Sequence, residues 1–423
     1  MNIFVYTRSS WDDRNAIGNT LSNWFGGNCW NEDAFYSFYM REAEPNNNVC
    51  SKYYRVTIRE LIKYFFSKEK IGEYFVSNNK QKIELYSNEI ENKLINGLHR
   101  HSSQIVYCLM ENLCYRGSWI NQKFIDFLRQ MNPDIFFATA ADNGMLSKMI
   151  GAVKEYTNAK IVVYIADDIY GQYQKYPFYR KKMLTRNFKR IMDDSDYIYG
   201  ASELLCTEYG KMFNKSISLL YKGCRFSSKT VETVHNPVRI TYAGNLLYGR
   251  DEILGKVADE LVELKKEGLE AQLDIYSGAE KTDEVVAKLE REGVSNFRGR
   301  RSYDEIKKIL SESDIVLHVE SFEKKQIDYV HYSFSTKIMD CLQSGSAVLG
   351  IGPSGIASIE YLKRVTGATV IDSEEEIGET IKRILIDKDD IPKRAKDTRK
   401  FALENHEIDC VQNKIRRDFI ALL

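Results

Sequence analysis

Twice along this chain of 423 residues, short apolar runs alternate with helix-length amphipathic segments, and the alternation restarts midway. The clearest run, Ile161-Val-Val-Tyr-Ile-Ala166, is apolar almost throughout. A strand buried on both faces of a parallel sheet reads that way. The first series predicts strands over 3–6, 35–40, 134–139, 160–166, 197–200 and 217–220. Helices are expected over 15–24, 58–76, 120–131, 143–156, 178–192 and 202–213. The second series predicts strands over 239–243, 272–276, 296–298, 315–319, 347–351 and 368–371, again with helices between them. Short links between strand and helix imply right-handed βαβ units. The expected fold class is therefore α/β, with two doubly wound Rossmann-like parallel-sheet domains facing across a cleft.

The expected organisation is an N-terminal domain over 1–225, a linker over 226–238, a second domain over 239–404, and a last helix over 405–423 that packs back towards the first domain. Charge follows this division. Lys+Arg and Asp+Glu are both 60, yet the chain through Arg225 carries 30 basic and 24 acidic residues, and the remainder 30 and 36. A net charge of zero argues against a nucleic-acid binder. The eight cysteines form no CxxC pair, which suits reduced thiols in the cytoplasm. No run of apolar residues is long enough to span a membrane, and the strand-like opening Met1-Asn-Ile-Phe-Val-Tyr6 gives no sign of a secretory leader. His99 and His101 lack a supporting Cys or carboxylate cluster for a metal.

Two motifs in the second half suit an anionic ligand. Tyr242-Ala-Gly-Asn-Leu-Leu-Tyr-Gly-Arg-Asp251 follows a strand and opens a helix. Gly244 lets a phosphate approach the backbone, and Arg250 at a helix start adds charge-assisted hydrogen bonds. The stretch resembles a P-loop but lacks its Lys and Ser/Thr, so nucleotide triphosphate hydrolysis is not expected. The second motif begins Ser333-Phe-Ser-Thr-Lys-Ile-Met-Asp340. Ser335 and Thr336 are good first-turn residues, and Lys337 adds a positive charge. Asp340 lies one turn after Thr336, where a carboxylate suits a ribose diol. Two such helix starts in one domain fit a diphosphate joined to a nucleoside. No GxGxxG follows any strand, which disfavours a nicotinamide oxidoreductase.

With these motifs in order, the chain resembles the retaining GT-B glycosyltransferases of family 4, especially those that build bacterial capsular polysaccharides or exopolysaccharides. Tyr164-Ile-Ala-Asp-Asp-Ile-Tyr170 is similar to that family's N-terminal strand ending in Asp. Asp196-Tyr-Ile-Tyr-Gly-Ala-Ser202 and Leu219-Leu-Tyr-Lys-Gly223 are similar to the segment closing that domain. The stretch from Gly244 to Arg250 resembles the diphosphate loop, with Arg250 at the usual Lys position and Asn245 at the usual Arg. Phe297-Arg-Gly-Arg300 resembles the loop that contacts the base, and Ser335 to Gly345 the acidic-helix motif. Of that motif's two glutamates, Asp340 stands at the second position and Tyr332 at the first; Glu320 or Glu323, from the preceding loop, is the candidate to replace the first. Gly18 is the single glycine where many members carry two.

The resemblance implies a hexosyltransferase-type enzyme that takes a nucleotide diphosphate sugar as donor and needs no metal or other cofactor. The acceptor would be a glycan or a lipid-linked saccharide. Donor contacts would come from Gly18, Gly244, Asn245, Arg250, Arg300, Ser335, Thr336, Lys337 and Asp340, and acceptor orientation from Asp167 or Asp168. Retaining transfer passes through an oxocarbenium-like state whose leaving diphosphate needs charge stabilisation. The rivals are a sugar-nucleotide epimerase of the same fold and a catalytically silent partner subunit. Asp194-Ser-Asp196 fits a metal-binding DxD pattern but stands where Asp and Ser are ordinary turn residues. Finally, 169–192 holds seven basic and no acidic residues among several aromatics. It suits contact with an anionic membrane, placing the protein peripherally at the inner face of the plasma membrane.

Overall fold

The computed structural model describes residues 1–40, 43–64, 66–77, 111–112, 115–140, 143–226 and 230–423. The chain divides into two units. Unit 1 holds Met1–Ala201, Cys206–Leu220 and Gln412–Leu423; unit 2 holds Ser202–Leu205 and Tyr221–Val411.

Unit 1 contains β1 (Asn2–Tyr6), β2 (Ala34–Tyr39), β3 (Lys52–Arg55), β4 (Glu73–Val76), β5 (Ile135–Thr139), β6 (Lys160–Ile165), β7 (Tyr197–Gly200) and β8 (Ser218–Leu219). Among the described residues these form one sheet, ordered β4-β3-β2-β1-β5-β6-β7-β8. Only the β3–β4 pair is antiparallel. All of β5 and nearly all of β6 are buried, as runs apolar on both faces require. Helices Ala16–Phe25, Asn143–Tyr156 and Phe178–Asp194 connect parallel strands. The core is strongly aromatic: Phe25 meets Trp30, Phe35, Phe137 and Phe419 at centroid separations of 5.2–6.2 Å.

One expected helix is replaced. The sequence predicts helix over 58–76, but helix stops after Ile58–Lys63, a short 3₁₀ turn follows, and β4 pairs with β3. Gly72 at φ 87° reverses the chain there. Tyr74 then stands opposite Tyr54, and Arg55 pairs with Glu73 at 3.0 Å. These cross-strand partners lie far from β4 in sequence, so local periodicity does not reveal them. His99 and His101 lie outside the described residues.

Unit 2 contains β9 (Val238–Ala243), β10 (Ala271–Tyr276), β11 (Ser295–Phe297), β12 (Ile315–Val319), β13 (Ala347–Ile351) and β14 (Thr369–Ile371). Among the described residues they form a parallel sheet ordered β11-β10-β9-β12-β13-β14. Ile240, Leu273, Ile315 and Leu349 bury one sheet face against Val257 and Leu261 of helix Arg250–Lys266. The strand order reverses at β1/β5 in unit 1 and at β9/β12 in unit 2. In doubly wound sheets ligands bind beyond the carboxyl ends of the strands at such a reversal.

Candidate functional site

In unit 2 the reversal is where the two predicted anion motifs meet. β9 ends at Ala243, and the next residue, Gly244, donates its N–H to Tyr276 O at 2.9 Å. A Cβ on Gly244 would lie 2.6 Å from Tyr242 Oη and 3.0 Å from Lys337 Nζ. A larger residue there would have to push the Tyr242 hydroxyl aside, and the missing side chain brings the Lys337 amine against the backbone of the loop.

Arg250 is the first residue of helix Arg250–Lys266, and only 7% of it is exposed. Its guanidinium faces the end of β12. Nη2 donates to both oxygens of Glu320 at 2.9 Å, Nε reaches Val319 O at 3.2 Å, and Nη1 donates to Asn245 Oδ1 at 2.6 Å. Glu320 is 1% exposed. Burial pushes its carboxyl up, but His318 and Arg250 outweigh burial and hold it below the usual range. His318 Nε2 lies 3.2 Å from Glu320 Oε1, outside hydrogen-bonding geometry. Arg250 thus enters a nearly complete set of protein partners, and Asn245 is bound up in the same set.

Lys337 differs. It is half-buried at the start of helix Lys337–Ser344, and among the described residues its ammonium has neither a hydrogen-bond nor an ion-pair partner. Burial, reinforced by the charge of Arg250, lowers its pKa to about 8, although Glu320 and Asp340 pull the other way. A half-buried cation with no counterion among the described residues is an arrangement that an anion completes. Thr336 occupies the N-cap, with its hydroxyl bonded to none of the helix's own amides, while Ser335 N donates to Ser358 Oγ at 3.1 Å.

Asp340, on the same helix, accepts from Tyr303 Oη at 2.9 Å and from Gln343 Nε2 at 3.0 Å. Both bonds go to Oδ1. Burial pushes its carboxyl up, against the charge of Lys222. Arg300 stands in the exposed loop after β11, its Cδ 4.0 Å from where a Gly278 Cβ would be. Unit 2 therefore brings Arg250 onto Asn245 and Lys337 against the adjoining Gly244, with Asp340 one turn on from Lys337. Sequence reasoning missed Lys222 and Tyr303. Lys222 stands inside Leu219-Leu-Tyr-Lys-Gly223 and Tyr303 just after Phe297-Arg-Gly-Arg300, but no spacing ties either to Asp340, which Tyr303 meets across 37 residues.

The sequence-predicted residues of unit 1 have partners of their own. Gly18 lies in the first turn of helix Ala16–Phe25, and its N–H donates to Asn15 Oδ1 at 2.8 Å. A Cβ there would lie 2.1 Å from Asp12 O, so the Asp12 carbonyl occupies that approach. Asp168 caps helix Ile169–Tyr173 through Gly171 N at 2.9 Å and accepts from Tyr209 Oη at 2.7 Å. Asp167 beside it is exposed, and among the described residues its carboxylate has no partner. Asp194 binds Lys154 at 2.7 Å and lies 3.5 Å from Arg190, while Asp196 Oδ2 accepts from Ile161 N at 2.7 Å. Among the described residues no group of three His, Cys, Asp or Glu is placed to hold a metal ion.

The basic stretch is split by burial. Arg180 turns inward, pairing with Glu111 at 2.6 Å and lying 4.1 Å from the Tyr176 ring centroid. Lys175, Lys182, Arg186, Lys189 and Arg190 stay exposed. Beside them Phe178 is 77% exposed and Tyr179 45%.

No protein-family model matches the sequence, and no curated protein matches it. Solved structures do. Anabaena HepE, determined with UDP and glucose, is similar at TM-score 0.61 and 11% identity over the whole of both chains. The G117R mutant of S. aureus TarM, determined with fondaparinux, α-GlcNAc-glycerol and UDP, is similar at TM-score 0.63 and 11% identity over 99% of this chain and 100% of that one. WaaG, a glycosyltransferase involved in lipopolysaccharide biosynthesis, is similar at TM-score 0.55 and 12% identity over 98% of both chains. These neighbours are GT-B glycosyltransferases, and at such identities what the likeness shows is the fold: two doubly wound parallel-sheet domains of GT-B type.

Proposed function

We propose that this chain is a glycosyltransferase that moves a sugar, with retention of configuration, from a nucleotide diphosphate sugar to a glycan or lipid-linked saccharide acceptor in polysaccharide biosynthesis. The observation that carries the reading is the Lys337 ammonium, without a partner among the described residues, against Gly244 at the strand-order reversal of unit 2. Lys337 takes the diphosphate. Arg250, fixed by Glu320, supplies positive field and holds the loop through Asn245. Ser335 and Thr336 add hydrogen bonds, Asp340 takes the ribose, and Arg300 lies towards the base. As the sugar–phosphate bond breaks, charge grows on the leaving diphosphate, and Lys337 stabilises it. Asp167 or Asp168 orients the acceptor hydroxyl. The UDP and sugars bound in HepE and TarM support the reading.

A thermal-shift panel of nucleoside diphosphates and nucleotide sugars tests it first. Ligand at 100 times its dissociation constant stabilises by roughly 2.7 kcal/mol. Transfer to saccharide acceptors, insensitive to EDTA and giving a product anomer that matches the donor, completes the test. No shift across the panel, or an inverted product, overturns the assignment. Epimerised donor released without acceptor points to the epimerase, and a stable complex with a second transferase but no turnover to the silent subunit.

The proposal extends to location: cytoplasmic, held at the inner face of the plasma membrane through the exposed cations of 169–192 and Phe178. Each Lys or Arg near an anionic surface contributes on the order of 1 kcal/mol. Among the described residues no helix is long and apolar enough to cross a membrane. Co-sedimentation with anionic but not neutral vesicles, weakened by salt, is the expected result; equal binding to both removes this part.

A further inference from the structure

The hydrogen bonds at Asp340 are lopsided. Tyr303 Oη and Gln343 Nε2 both donate to Oδ1, whereas Oδ2 takes no hydrogen bond among the described residues. Tyr303 is itself fixed from behind. Lys307 Nζ lies 4.2 Å from its ring centroid and Lys222 Nζ 5.3 Å, and Lys222 Nζ also donates to Tyr303 Oη at 3.4 Å. Lys222 is only 9% exposed. Burial lowers its pKa, and the charge of Asp340 is the main influence raising it. Burial, with Asp340 second, pushes the Tyr303 phenol well above its ordinary range, so it stays protonated and donates. The result is a one-way chain of hydrogen bonds: ammonium to phenol to carboxylate.

We propose that Tyr303 is a positioning residue for sugar recognition in the nucleotide: with Gln343 it occupies Asp340 Oδ1 and so presents Oδ2 to the ribose diol of a nucleoside diphosphate. Lys222 keeps that carboxylate ionised from the far side of the tyrosine. This rests on the nucleotide reading above and adds a consequence that reading lacks. Discrimination between ribose and deoxyribose passes through a residue that need not touch the ligand.

The test measures binding of one nucleoside diphosphate, the best of a base panel, beside its 2′-deoxy and 3′-deoxy forms. A hydrogen bond to a charged acceptor sets the scale, so wild type favours the ribose form over at least one deoxy form by roughly 10- to 100-fold. In Tyr303→Phe that ratio falls to about threefold or less, while affinity for the deoxy forms, held by Lys337, stays within about threefold. Gln343→Leu, which removes the other donor to Oδ1 from a partly exposed helix position, lowers the ratio too and serves if Tyr303→Phe does not fold. A ratio unchanged in both variants overturns the proposal, as does equal weakening of ribose and deoxy forms, the mark of a merely structural tyrosine. Wild type that binds without discriminating overturns it while leaving the nucleotide reading intact. Wild type that binds no nucleoside diphosphate overturns both.

Discussion

Arg250 and Lys337 each open a helix at the same end of one sheet, yet their charges are spent differently. Arg250 is 7% exposed and doubly bound to Glu320; Lys337 is half-buried and has no counterion among the described residues. A buried charge is tolerated only with a partner. Arg250 finds its partner inside the protein, which makes it part of the scaffold. Lys337 does not, which leaves it available to a ligand. The same contrast holds within unit 1, where Asp168 is committed to Gly171 and Tyr209 and Asp167 is open.

The sharpest way to break the comparison is Glu320→Ala. It strands a buried guanidinium, so urea unfolding should show a loss of about 3–5 kcal/mol. A loss under about 1 kcal/mol would mean that Arg250 does not depend on this pair. Lys337→Met should do the opposite, weakening nucleoside diphosphate binding by about 1.5–3 kcal/mol in calorimetry while leaving the unfolding midpoint unchanged or higher. Equal damage to stability would put Lys337 in the scaffold after all.

Titration sharpens the point. With a pKa of about 8, Lys337 loses its proton in the free protein as pH rises through that value. A bound diphosphate favours the ammonium and raises its pKa. Affinity is therefore full below pH 8 and falls by up to roughly tenfold, or 1.4 kcal/mol, per unit above it until the complex titrates too. Stability without ligand moves the other way. Between about 8 and the ordinary 10.5 the unfolded chain binds more protons, so the folded state gains as pH rises. A flat affinity profile from pH 7 to 10 would remove Lys337 from the anion site.

The smallest effects concern unit 1. Asp168→Ala removes a helix cap and should cost about 0.5–2 kcal/mol in unfolding experiments. Asp167→Asn should leave stability within about 0.5 kcal/mol, so a fall in transfer rate would be chemical in origin. Transfer that survives Asp167→Asn but fails in Asp168→Asn would reverse their roles.

Legibility followed sequence distance. The apolar run at β6 and the helix start at Arg250 were readable because each signal sits within a few neighbouring residues. β3 and β4 were not: Lys52-Tyr-Tyr-Arg55 is a short segment held between β2 and β4, and its pairing with Glu73–Val76 is a tertiary fact. The same applied to the site. Glu320 was visible as a nearby carboxylate, but its attachment to Arg250 spans 70 residues and leaves no trace in the spacing. Lys222, from the segment just past the unit boundary, reaches Tyr303 across 81.

The last dozen residues belong to unit 1. Phe419 is fully buried against Phe25, Trp30 and Phe137, Tyr199 donates to Asp418 at 2.6 Å, and Gln412 reaches Asn23 O at 2.6 Å. During synthesis, the unit begun first is thus the unit finished last. A ribosome that has made all of unit 2 still holds the piece that closes the aromatic core of unit 1. Until it is released, that core carries an open seam, and a nonsense codon in helix Ile408–Leu422 at or before Phe419 would leave the seam open for good.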